Sequence, residues 1–112
     1  MVQRNVGRVL DAQGRLDAAL EAYRVALAIT KQLAAVEPSD VATQRDLLRR
    51  YSELALLQER RGSLGEAQES YCRARDVVRT LIELDPQGAE WRDSRISVEQ
   101  RLQATQDGAA SC

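Results

Sequence analysis

Two stretches, GRLDAALEAYRVA at residues 14–26 and GSLGEAQESYCRA at residues 62–74, decide the reading of this chain. Laid over each other they match at Gly14/Gly62, Leu16/Leu64, Ala19/Ala67, Tyr23/Tyr71 and Ala26/Ala74. The two prolines, Pro38 and Pro86, keep the same register. Every pair is offset by 48 residues (62 − 14, 71 − 23, 86 − 38). Self-similarity at a fixed period is the mark of stacked supersecondary units. Such arrays are surfaces more often than reaction centres, so the pattern speaks to architecture before it speaks to a ligand.

Working outward, the apolar spacing is helical. Leu16, Ala19, Leu20, Tyr23, Ala26, Leu27 and Thr30 recur at i, i+3, i+4 and i+7, the signature of an amphipathic helix. Leu64, Ala67, Tyr71, Ala74, Val78, Leu81 and Ile82 do the same. Between them, Leu47, Leu48, Tyr51, Leu54, Ala55, Leu57 and Gln58 predict a third buried stripe, and Trp91, Ile96, Val98 and Leu102 a last one. Proline bars the residue before it from helical geometry, and glycine suits the left-handed residue just past a helix end. Gly14, Pro38, Gly62 and Pro86 therefore predict five helices: about 2–13, 16–36, 41–61, a fourth that opens at Ser63-Leu64-Gly65-Glu66 and carries its inner face as far as Ile82, and 89–106. Asp40 is a candidate N-cap, and Ser63 with Glu66 forms a candidate capping box. No alternating strand pattern or hairpin turn competes.

Composition sets further bounds. The chain has 112 residues, one domain by length, and is 44% hydrophobic with 4% aromatics and no Phe. Its core must be Leu, Val, Ile and Ala. The net charge of −1 supplies no field to attract nucleic acid or an anionic membrane. The doublets Arg49-Arg50 and Arg60-Arg61 are interleaved with Glu53, Glu59, Glu66 and Glu69 and lack an aromatic platform, so they read as a solvated helix face. With no His and only Cys72 and Cys112, a metal site or a disulfide framework is not expected. Cys72 reads as inert and partly buried, Cys112 as an exposed tail thiol. Neither a nucleophile–base pair nor a glycine-rich phosphate loop is visible, so neither an enzyme nor a cofactor is expected. No stretch reads as a signal peptide or reaches the ~20 apolar residues of a membrane span, and the expected compartment is the cytoplasm.

Ala67-x3-Tyr71-x2-Ala74 and Ala19-x3-Tyr23-x2-Ala26, each preceded by a first helix carrying Leu54-Ala55 or Val6-Gly7, resemble the tetratricopeptide repeat. The period of that repeat is about 34 residues. The 48-residue spacing resembles a long-helix variant found in tandem arrays of large bacterial multidomain proteins, as does Asp85-Pro86 followed by Trp91-Arg92-Asp93. The resemblance implies an α-solenoid of antiparallel helix pairs over residues 1–106. These divide into a truncated repeat (1–38), a full repeat (39–86) and the first helix of another (87–106), with 107–112 a disordered tail. It also implies a protein–protein interaction module whose first helices line a groove for a peptide or partner helix. An alternative is a self-associating segment, or a regulatory array attached to a kinase, protease-like or ATPase module in a longer protein.

Counting back from the small residue of each repeat, the resemblance places Arg4, Arg8, Asp11 and Ala12 in the groove, then Arg49, Ser52, Glu53, Leu56, Glu59 and Arg60. The last helix adds Ser97, Gln100, Arg101 and Ala104. Arg4, Arg8, Arg49 and Arg101, with Ser52 and Leu56, form the candidate peptide site, suited to an acidic partner through bidentate guanidinium contacts. Solvated charge, balanced by Asp11, Glu53 and Glu59, is the other reading of the same residues. Glu53 and Ser97 stand where a carboxylate clamp would need Asn and Lys. The truncated first repeat leaves the outer side of its second helix, around Leu27, Ala34 and Val36, without cover. This predicts either self-association at the N-terminal end or further repeats upstream.

Overall fold

A computed structural model describes the backbone of residues 7–105 and 112, and the side chains of residues 14–105 and 112. Among the described residues it is all-helical, with α1 (Gly7–Val36), α2 (Val41–Arg61), α3 (Leu64–Leu84) and α4 (Ala89–Thr105). Each helix packs on the next in the chain, α1 on α2, α2 on α3 and α3 on α4. None is long and apolar enough to cross a membrane.

The helix boundaries follow from local chemistry. Asp40, in extended conformation, accepts from the Ala42 amide through its side chain and so caps α2. Gly62 closes α2 in the left-handed region at φ 88°, its N–H reaching the carbonyls of Gln58 and Glu59. The α1–α2 and α3–α4 turns are the same turn. After α1, the Glu37 amide donates to Leu33 and the Asp40 amide to Glu37. After α3, Asp85 donates to Leu81 and Gly88 to Asp85. Each of these residues is displaced by 48 from its counterpart (85 − 37, 81 − 33, 88 − 40). Side chains lock both turns alike: Gln44 Nε2 donates to the Pro38 carbonyl at 2.9 Å and Arg92 to the Pro86 carbonyl at 2.7 Å. Gln44 and Arg92 are again 48 apart.

The main core gathers Leu47, Leu48, Ala55, Ala67, Tyr71, Ala74, Val77, Val78 and Leu81 between α2 and α3, with Trp91, Val98 and Leu102 from α4 and Ala34 from α1. A second cluster holds Leu20, Leu54 and Leu57 between α1 and α2. Ala55 and Ala67, both expected in the buried stripes, are wholly buried in the main core.

Several expectations need correction. Gly14 does not end a helix: α1 runs through it, giving four helices among the described residues instead of five. At the α2–α3 turn, Gly62, Ser63 and Gly65 crowd three weak helix formers into four residues. Gly14 stands alone, and one interior glycine costs only about 1 kcal/mol. Ser63 makes no side-chain cap bond; its carbonyl accepts from Ala67 instead, so the capping box is absent. Leu64 and Ile96, expected inside, are about half exposed, whereas Val77 is buried. Of the three residues expected to lack cover, Leu27 and Ala34 pack into the main core, whereas Val36 is exposed as expected. Cys72 and Cys112 are not free thiols but a disulfide, joining α3 to the chain end 40 residues on. No spacing rule could reveal this, because it depends on where the chain end lies. The tail expected at residues 107–112 lies outside the described residues except for Cys112.

Candidate functional site

Two first helices of the resemblance, α2 and α4, are not sequence neighbours, yet α3 holds them side by side. A cleft of about 290 Å³ opens between them, lined by Leu48 and Ser52 of α2 and by Glu90, Asp93, Ser94, Ser97 and Val98 of α4. Leu48 and Val98 are buried and form its floor, Ser52 and Ser94 are half-buried, and Glu90, Asp93 and Ser97 sit at the exposed rim. Ser52 and Ser97, predicted groove residues, do meet across it. Glu90, Asp93 and Ser94 were missed because counting back from the small-residue position favoured the second half of α4. The first three turns of α4 are what stand opposite the middle of α2.

The predicted arginines fare differently. Arg4 lies outside the described residues, and so does the side chain of Arg8. Arg49 and Leu56 are exposed on α2 but do not line the cleft. Arg101 is exposed on α4 and pairs with Glu59 at 3.9 Å. Glu59 is further held by the Tyr71 hydroxyl, which donates to its Oε1 at 2.5 Å. This Tyr71–Glu59–Arg101 chain ties α3, α2 and α4 together. Burial, first, and then the hydrogen bond and charge of Glu59 push the Tyr71 phenol well above its ordinary value, against a smaller opposing pull from Arg101. Beside it, the Ser70 hydroxyl donates to Gln58 Oε1 at 2.6 Å with both residues buried. At the other end, Trp91 Nε1 donates to Asp85 Oδ2 at 3.1 Å. A Cβ on Gly88 would stand 2.5 Å from that indole nitrogen and 2.8 Å from that carboxylate.

The cleft's chemistry is three hydroxyls and two carboxylates over an apolar floor, with no basic group in its lining. That arrangement can take hydrogen bonds and a cationic or neutral side chain. Among the described residues no cluster of His, Cys, Asp and Glu is placed to hold a metal ion. The chain matches no family model, no curated protein and no solved structure.

Proposed function

We propose that this chain is a segment of a tetratricopeptide-like α-solenoid that acts as a protein–protein interaction module, receiving an extended peptide or a partner helix along the α2–α4 face. The observation that carries the reading is the cleft itself, built by two helices of equivalent register and walled by Ser52, Ser94 and Ser97. Helix-lined concave faces of repeat arrays are binding surfaces by construction. The 48-residue equivalence of the two inter-helix turns supports the repeat assignment.

The electrostatics favour a different partner from the acidic peptide expected from sequence. Glu90 and Asp93 rim the cleft, whereas Arg49 lies off it and Arg101 is engaged by Glu59. A segment carrying Lys or Arg suits this rim. We read the chain as a binding module and not an enzyme, on the strength of its architecture. The Cys72–Cys112 bond weighs against a reducing compartment, because such bonds persist in oxidising ones.

A peptide library sorted by charge tests the proposal. Immobilised protein should enrich Lys- or Arg-containing peptides, with capture weakening as salt rises. Filling the cleft with Ser97→Trp, or reversing its rim with Glu90→Lys and Asp93→Lys, should abolish capture. Equal capture by wild type and both variants would remove the cleft as the site. Enrichment of acidic peptides, lost on Arg49→Glu with Arg101→Glu, would restore the arginine reading.

A further inference from the structure

Helix α1 carries apolar residues on two faces. One face, with Leu20, Thr30 and Ala34, is buried against α2. The other presents Val25, Ile29, Leu33 and Val36 at spacings of four, four and three, which align them along one stripe. They are 53%, 55%, 57% and 79% exposed. Isolated exposed apolar residues need no explanation, but a contiguous stripe marks an interaction surface.

The 48-residue register shows what such a stripe is shaped to meet. Ile29 and Leu33 correspond to Val77 and Leu81 of α3, which are 7% and 0% exposed. Those two share a helix face with Ser70, whose hydroxyl bonds Gln58 on α2. Ala67 and Ala74 on the same side of α3 are wholly buried, whereas their counterparts Ala19 and Ala26 are only partly covered. Thus at Ile29 and Leu33 α1 turns to solvent positions that α3 buries, whereas Val25 and Val36, at the flanks of the stripe, correspond to Arg73 and Leu84, which are exposed on α3 too.

A second copy could supply a cover in two ways. In a head-to-tail arrangement α4 would take the part of α2. The α2 residues Leu47, Leu48, Tyr51 and Ala55 correspond to Arg95, Ile96, Glu99 and Gln103 of α4. Only Ile96 is apolar, and burying the other three against α1 would strand polar groups. In the symmetric arrangement α1 packs on α1 of the other copy, antiparallel. The small end of each stripe, Ala18 and Ala22, then receives the large end of the other, Val36 and Leu33, with Ile29 against Val25. Glu21 comes beside Gln32, and no like charges face each other.

We propose that two copies of this chain associate as a two-fold symmetric, antiparallel α1–α1 dimer over Val25, Ile29, Leu33 and Val36. The contact from Ala18 to Val36 is about 27 Å long. A seam of one helix from each copy is small beside the roughly 800 Å² per partner of a standard interface, and we expect dimerisation in the micromolar range.

Sedimentation equilibrium on the full oxidised chain tests this, with a non-reducing gel to exclude interchain disulfides. The weight-average mass should climb from 12.5 kDa toward twice that value across the micromolar range. Ile29→Glu with Leu33→Glu should stay monomeric with unchanged far-UV circular dichroism. Val25→Lys with Val36→Lys, near the middle and at one end of the stripe, gives the same readout should the first pair fail to fold. Wild type monomeric at the highest concentration, variants that dimerise equally well, or assemblies growing beyond two copies would each overturn the proposal. For orientation, an Ala18→Cys chain mixed with a Val36→Cys chain, both lacking the native cysteines, should form the mixed crosslink. Crosslinks joining residue 36 to residue 36 would contradict the antiparallel packing.

Discussion

Tyr71 is the residue on which three helices converge. Its ring is 2% exposed, and its hydroxyl holds the carboxylate that also pairs with Arg101. Tyr71→Phe keeps the ring and loses a hydrogen bond to a charged group, a change worth ~1.5–3 kcal/mol. Glu59 retains Arg101, which points to the lower end of that range. The folded state binds the phenolic proton more tightly than the unfolded chain, whose phenol titrates near 10.0. This stabilisation is complete below about pH 10 and is lost as pH rises above it. Tyr51 is shifted the same way, chiefly by burial. Urea midpoints measured from pH 8 to pH 12 should therefore fall on the alkaline side, and fall less steeply for Tyr71→Phe. An identical slope would contradict the assigned role. Ala67 is wholly buried in the main core, and Ala67→Leu should cost ~1–3 kcal/mol by overpacking, read from the same denaturation curves. Ala67 and Tyr71 were legible in the sequence from the spacing they share with Ala19 and Tyr23. The hydroxyl's partner was not, because a helical period fixes which face a side chain takes but not which polar atom it meets across it.

The helices themselves were the most legible level. The α1 end at Val36, the span Val41–Arg61, the core of α3 and the start of α4 at Ala89 follow from Pro38, Pro86, Gly62 and the apolar period. The break at Gly14 did not occur, because one glycine is a weaker signal than glycine, serine and glycine together. Two substitutions separate these cases. Gly62 sits at φ 88°, and Gly62→Ala must place a Cβ in the left-handed region at a cost of ~1–2 kcal/mol. Gly14 is inside α1 with nothing within 4 Å of where a Cβ would stand, so Gly14→Ala should stabilise by up to ~1 kcal/mol. Opposite shifts in denaturation midpoint are expected, and destabilisation by both alanines would mean that Gly14 ends a helix after all. The candidate site was half legible. Ser52 and Ser97 came from counting within each unit. Glu90, Asp93 and Ser94 required knowing how far α4 slides along α2, a consequence of packing on α3.

As a whole the molecule is extended. Its radius of gyration is 15.7 Å, against about 13 Å for a compact domain of 100 residues, and it measures 49 × 33 × 22 Å. These dimensions suit helices stacked in chain order, each packed chiefly on its neighbours in the chain. Under the proposed repeat reading, stability is largely a sum of terms between successive helices. The inner helices α2 and α3 are covered on both sides, α1 and α4 on one. Native-state hydrogen exchange read amide by amide, at a concentration low enough to keep the chain monomeric, tests this directly. The account predicts the slowest exchange in α2 and α3 around Leu54–Leu57 and Tyr71–Leu81, with α1 opening separately at lower free energy. Uniform protection across all four helices, or α1 exchanging as slowly as α3, would contradict the stacked-array account.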